Sequence, residues 1–291
     1  MGALGTIRVW ARMVKFSHSI FALPFALSGA VLAAADRGIG ADKIFWIVVA
    51  MLGARNAAMG FNRLADQEYD ARNPRTAGRA LPMGLLSRQA VWVFTVVLSG
   101  LFVLASFQLN RLCGLLSPLA LFIILGYSYT KRFTWANHLW LGLSLSMAPV
   151  GGWVAVQGSF APAPWILGAA VLMWVTGFDV IYACQDVDFD RKTGLYSVPA
   201  RFGAGPALFV ARLLHASALI ALIAVGVLAD LHPVYWLGLL VVGTILIREH
   251  RLVKPDDLSD LGTAFFNMNA WISVIYLATV LLAVIMPGLA G

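Results

Sequence analysis

The sequence predicts an all-α membrane protein: nine transmembrane helices in one bundle, with the N-terminus in the cytoplasm. Three observations carry that prediction. Of the 291 residues, 60% are hydrophobic and only 12% are charged, against about 25% charged in a soluble domain, so a water-facing surface could not be covered. Nine apolar runs follow one another without period-two alternation, which argues for helices rather than a barrel. Lys and Arg are also divided very unevenly between alternate connections. No stretch is left for a sizeable soluble domain, so residues 1–291 read as a single integral-membrane domain.

The first run, 16–35, follows Arg8, Arg12 and Lys15. With Ala33 and Ala35 behind it, the run resembles a secretory signal, but it is longer than such a signal needs and reads as an uncleaved span. Met1-Gly2 fits the loose myristoylation pattern, an anchor that a polytopic chain does not require. The second run, 44–64, carries Arg55 within it and ends in an acidic cluster. The third and fourth, 90–107 and 112–129, flank Arg111, and the fourth stops at Lys131-Arg132. The fifth, 139–156, leads to the sixth, 165–184, which ends in a second acidic cluster. The seventh is 206–229. The eighth, 233–247, is short of the roughly 20 residues of a span and is expected to be tilted or re-entrant. The ninth is 264–286.

With the N-terminus inside, 17 of the 21 Lys and Arg fall on the inner side. Arg37, Lys43 and Arg111 fall outside, and Arg55 lies within a span. That asymmetry sets the orientation. The net charge of +7 is accordingly a topology signal, and no soluble basic face exists to bind nucleic acid. Two cysteines, Cys113 and Cys184, lie near opposite membrane faces and offer no disulfide framework.

Half of the 14 carboxylates sit in two places, at the inner ends of the second and sixth runs. On a helix, Asn62, Asp66 and Asp70 share one face, and so do Asp179, Tyr182, Asp186 and Asp190. Glu68 and Asp188 point elsewhere. Each cluster ends in Asp-x-x-x-Asp, and an even number of spans separates the two, so both acidic helix ends are expected to face one cavity. Several carboxylates together require a counter-charge. Oxygen ligands without His or Cys favour a hard cation, Mg²⁺ first. Arg63, Arg72, Arg75, Arg79, Lys131, Arg132, Arg191 and Lys192 surround the clusters, and acid and base together suggest a metal-bridged polyphosphate. An arginine inside a span, Arg55, is a functional candidate by its position. Lys15 and His18 stand at the start of the first run and are expected to border the cavity.

Asn62-x-x-x-Asp66-x-x-x-Asp70, continuing Arg72-Asn73-Pro74-Arg75-Thr76-Ala77-Gly78-Arg79, resembles the first signature of the UbiA-type membrane prenyltransferases. Tyr127-Ser128-Tyr129-Thr130-Lys131-Arg132 resembles their central segment. Asp179-x-x-Tyr182-Ala183-x-x-Asp186-x-x-x-Asp190, running on to Gly194 and Ser197, resembles the second signature. The likeness spans almost the whole chain. Within the superfamily, the Asn-Pro-Arg-Thr-Ala-Gly-Arg run and Lys15-Phe16-Ser17-His18 are most similar to bacterial 4-hydroxybenzoate polyprenyltransferases and to the related branch linked to menaquinone made through futalosine.

The resemblance implies a nine-helix bundle around a central cavity, capped by the Asp motifs on the cytoplasmic side of a bacterial inner membrane. It implies transfer of a polyprenyl chain from polyprenyl diphosphate to an aromatic acid such as 4-hydroxybenzoate, in ubiquinone or menaquinone biosynthesis. Asn62, Asp66, Asp70, Asp179, Asp186 and Asp190 would hold Mg²⁺, with Asp66, Asp70, Asp186 and Asp190 central to catalysis. Arg72, Arg79, Lys131, Arg132 and Lys192 would meet the diphosphate charge, and Tyr182 would line the substrate site. Arg55, from its position within a span and not from the resemblance, is expected to receive the acceptor carboxylate. The alternatives are another member of the superfamily, making haem O, chlorophyll or a lipid, and a cation transporter. The transporter fits less well, because its charges belong near the midplane of paired broken helices, and here the acids lie at helix ends beside arginines.

Overall fold

The computed structural model describes residues 3–15, 21–35 and 38–289. His18 and Arg37 lie outside the described residues, as does the start of the first apolar run. Twelve α-helices are described, and every apolar run coincides with one of them: α2 (Leu23–Ala33), α3 (Ala41–Arg72), α4 (Arg88–Leu109), α5 (Arg111–Thr130), α6 (Asn137–Gln157), α7 (Pro162–Ala183), α10 (Ala204–Leu228), α11 (Val234–Leu252) and α12 (Asn269–Leu289). Three shorter helices, α1 (Ala3–Val14), α8 (Val187–Thr193) and α9 (Val198–Phe202), lie outside those runs.

Seven of the described helical segments are long and apolar enough to cross a membrane, against the nine spans expected. The two that fall short have visible reasons. The described part of the first run, α2, has only 11 residues. The apolar stretch of α11 ends in Arg248-Glu249-His250-Arg251, which leaves it short, as the sequence suggested for the eighth run.

Helix boundaries follow local chemistry. Ser87 accepts a hydrogen bond from the Ala90 N–H at the start of α4, and Asn110 does the same for Cys113 at the start of α5, each filling an orphan donor of a first turn. Pro24 occupies the first turn of α2, where its missing N–H costs nothing. Consecutive helices pack side by side from α3 to α7, then through α10 and α11 to α12, and the ring closes where α12 packs on α2. Against α6, α2 makes an unusually close approach. A Cβ on Gly29 would meet the Pro149 carbonyl oxygen at 2.0 Å, and one on Gly152 would meet that of Ala26 at 2.0 Å. Small residues allow this backbone contact, from which helix association in lipid draws much of its packing energy.

Two features place the acidic segments. At 32 residues α3 is about 48 Å long, well beyond the roughly 30 Å hydrocarbon core, so its last turns project past it. Those turns carry Asn62 to Asp70. Helix α7 continues through a tight 3₁₀ turn, Cys184–Asp186, into α8, and Gly194 at φ 71° ends the run in the left-handed conformation that favours glycine. Over the same end lies α1, whose Met13 and Val14 are buried with Leu64, Leu81, Leu86 and Val91 while Arg8 and Arg12 face out.

Candidate active site

Both acidic helix ends meet at one end of the bundle, as their common face predicts. Asn73, just past α3, uses its side chain twice. Its Oδ1 accepts from the Arg75 N–H (3.0 Å), which tightens the turn, and its Nδ2 donates to Asp186 Oδ1 (3.0 Å). Arg75 then forks onto Asp186 through Nε (3.0 Å) and Nη2 (2.5 Å), and its Nη1 donates to the Tyr182 hydroxyl (3.0 Å). This bidentate pair ties the first acidic segment to the second. Burial lowers the Arg75 pKa, but the bonds to Asp186 and Tyr182 outweigh it and hold the guanidinium above the usual arginine range.

The other acids are paired in the same way. Asp70 takes Arg79 Nη1 at 2.6 Å. Asp66 takes Lys131 Nζ at 2.6 Å and the Asn62 amide at 3.1 Å. Arg132 donates to the Ala65 carbonyl, lies 3.9 Å from Asp66 Oδ1, and stacks over Tyr69 and Tyr129. Asp190 accepts from Ser197 Oγ (2.8 Å). Asp179 meets His138 Nδ1 at 2.6 Å, and the Val198 N–H donates to His138 Nε2, which puts the imidazole proton on Nδ1, facing the carboxylate.

Each of these five aspartates lines a single cavity of about 910 Å³, with Asn62 and Tyr182. Below the polar mouth the cavity is mainly apolar, and it extends to Leu109, Phe160 and Trp165 near the opposite end. Glu68 and Asp188 are exposed and stand outside it, as helical phase requires. Arg72 and Lys192 also stay exposed and off the cavity, because each follows an inward aspartate by two residues, about 200° around a helix. Arg55 lines the cavity, but its Nη1 and Nη2 donate to the carbonyls of Val14 (2.8 Å) and Lys15 (3.0 Å). Arg63 Nε reaches the Met13 carbonyl (3.4 Å), so two arginines of α3 hold the last carbonyls of α1.

That contact sets Lys15, at φ 45°, beside the cavity. Burial, then repulsion from Arg63, Arg79, Arg75 and Arg55, lowers its pKa to about 8. Arg75, already among the cations expected around the clusters, is joined at the site by Asn73, His138 and Ser197. Asn73 and Ser197 lie within or just beyond the quoted motifs. His138 had a weaker signal, a lone imidazole near a span end.

Among the described residues, no group of three or more His, Cys, Asp or Glu is drawn together tightly enough to hold a metal ion. The reason is local: Asp66, Asp70 and Asp186 each lean on a different cation. Even so, Asp66 Oδ1 and Asp70 Oδ2 are buried without a hydrogen-bond partner. Arrayed cations, oxygen donors with spare lone pairs and an apolar cavity beneath can together hold a polyanion carrying a long apolar tail.

A family model described as "UbiA prenyltransferase family" matches residues 22–286. The chain is 30% identical to 4-hydroxybenzoate octaprenyltransferase of Photobacterium profundum over 279 residues, covering 92% of this chain and 94% of that protein. Among solved structures, the apo form of a UbiA homolog from Aeropyrum pernix K1 superposes with a TM-score of 0.82 at 33% identity, over 91% of this chain and 97% of that one. A UbiA homolog from Archaeoglobus fulgidus bound to DMAPP and Mg²⁺ shares the fold, with a TM-score of 0.74 at 17% identity over 94% and 98% of the two chains.

Proposed function

The chain belongs to the UbiA prenyltransferase family, and from that membership we propose that it transfers a polyprenyl chain from polyprenyl diphosphate to a ring carbon of an aromatic acid such as 4-hydroxybenzoate, in ubiquinone or menaquinone biosynthesis. The observation that carries this reading is the mouth of the cavity, where five aspartates and their counter-cations sit above an apolar volume. The name of the Photobacterium relative supports the aromatic acceptor.

The donor set fits Mg²⁺: carboxylate oxygens, two of them buried and unpartnered, with no soft ligand. Asp66, Asp70, Asp186 and Asp190 would hold it, with Asn62 and Asp179 beside them, and the Archaeoglobus homolog bound to Mg²⁺ is consistent with that assignment. When bound, Mg²⁺ would supply positive charge to the diphosphate and so make it a better leaving group. Arg75, Arg79 and Lys131 now sit on aspartates, and on donor binding they share their N–H groups with diphosphate oxygens. Arg132 adds charge at the edge, and Arg72 and Lys192 raise the field at the mouth without touching the cavity. The allylic C–O bond then ionises, and the leaving diphosphate keeps the electron pair. Apolar walls exclude water from the cation. The ring carbon ortho to the phenol oxygen attacks, and loss of its proton restores aromaticity. Arg55 and Lys15 form the basic corner that receives the acceptor carboxylate.

The mouth of the cavity faces the cytoplasmic side of a bacterial inner membrane in this reading, which the excess of Lys and Arg at that end supports. The test is incubation of purified protein with labelled polyprenyl diphosphates and a panel of aromatic acids, with product mass measured. A ring-prenylated acid is the expected product. A prenylated porphyrin ring or glyceryl phosphate, formed when those acceptors are offered and the acids are ignored, would move the chain to another branch.

A further inference from the structure

Just before α12 the chain widens into one π-helical stretch, Thr263–Met268. Such a stretch leaves backbone carbonyls out of the α-helical ladder and often marks a functional site. Here one buried side chain gathers them. Asn269, with no exposure, donates through Nδ2 to the carbonyls of Ala264 (3.2 Å) and Phe265 (3.0 Å) and to Glu249 Oε1 (2.8 Å). Its Oδ1 accepts from Trp174 Nε1 at 2.6 Å. Glu249 is also fully buried, and its second oxygen lies 3.7 Å from His215 Nδ1. The network joins α7, α10, α11 and α12 outside the catalytic cavity. Both polar atoms of the Asn269 amide are satisfied, so the amide anchors this turn in one geometry, while Glu249 Oε2 is left without a hydrogen-bond partner.

What it fixes is Phe265. The ring stands 4.1 Å from that of Tyr182 and edge-on to Phe178 at 5.4 Å, and all three line the cavity. Tyr182 lies one turn from Asp179 and from Asp186, and its hydroxyl is held by the arginine that forks on Asp186. A diphosphate at the aspartates therefore places its first carbons against this aromatic wall.

We propose that Asn269 and Glu249 are positioning residues for the transfer step: they hold the widened turn that sets Phe265 as the wall beside the ionising carbon. The inference rests on the prenyl-transfer reading. Faces of aromatic rings stabilise a cation, and a closed wall keeps water from it. The two fates of the cation are distinguishable. Attack by the acceptor ring carbon, with loss of its proton, gives prenylated acid; attack by water, with loss of a proton, gives the prenyl alcohol.

The experiment measures how labelled donor partitions between prenylated acid and prenyl alcohol, together with donor KM. Asn269→Leu and Phe265→Leu should each raise the alcohol-to-product ratio about tenfold, with donor KM within about twofold of the parent. Glu249→Gln, which keeps the acceptor oxygen facing Asn269, should retain the parental ratio. An unchanged ratio in Phe265→Leu overturns the wall, and an unchanged ratio in Asn269→Leu overturns the positioning role. Should Asn269→Leu fail to fold, Trp174→Phe removes one bond from the same amide, and an unchanged ratio there is equally fatal. If the unsubstituted enzyme prenylates no acid at all, the functional reading itself fails, which is a different result.

Discussion

Single residues make the sharpest claims, because off-face neighbours serve as controls. Asp66→Ala and Asp190→Ala should lower Mg²⁺-dependent turnover by over a hundredfold, the loss expected on removing a group that stabilises transition-state charge. Glu68→Ala and Asp188→Ala, equally acidic and equally close in sequence but exposed, should change it only a few-fold. Turnover of the four variants at matched expression checks this, and equal losses in all four would remove the two-face site. Lys15 yields a pH profile. Its pKa of about 8 means the ammonium is charged below that pH and neutral above it in the free enzyme. The kcat/KM for anionic substrate should therefore fall as pH rises through about 8, and Lys15→Arg should shift that fall upward. The inward aspartates were legible because helical phase alone separates them from Glu68 and Asp188. Asn73 and His138 were less so, because their partners Asp186 and Asp179 are distant in sequence and only folding brings them together.

Elements were legible where apolar length decides them and obscure where polar contacts do. The nine apolar runs all became helices, since hydrophobic length is written directly in the sequence. Helix α1 was read only as a basic flank. Its helicity rests on burying Met13 and Val14 against α3 and its neighbours, and on Arg55 and Arg63 holding its last carbonyls. The shared face of Asp179 to Asp190 was expected from one continuous helix, yet a 3₁₀ turn interrupts it at Asp186. The aspartates still face the cavity, because the turn is one residue triplet long. The close α2–α6 contact makes a stability prediction at two adjacent glycines. Gly152→Val drives a side chain into the Ala26 carbonyl and should cost about 1–3 kcal/mol. Gly151→Ala meets nothing within 4 Å and should be neutral. Thermal unfolding in detergent compares them, and equal melting temperatures would mean that the two helices do not approach so closely.

For the whole molecule, the bundle serves to bring two acidic helix ends over one apolar cavity. Cys substituted for Gly78, which is exposed with open space around it, should react with an impermeant thiol reagent only from the cytoplasmic side of sealed vesicles. The all-helical bundle was legible because apolar length acts over the entire chain. Whether α2 and α11 cross was less legible, because the described part of α2 is 11 residues long and the apolar stretch of α11 is cut by its charged end. The central claim is that the acidic mouth releases diphosphate as the cavity delivers the chain to an aromatic ring. The most direct measurement is the ratio of diphosphate released to ring-prenylated acid formed, followed in one reaction of purified protein with polyprenyl diphosphate, 4-hydroxybenzoate and Mg²⁺. The account predicts equal amounts of the two, and neither without Mg²⁺. Intact donor under those conditions, with cation flux through the same protein in liposomes, would contradict it.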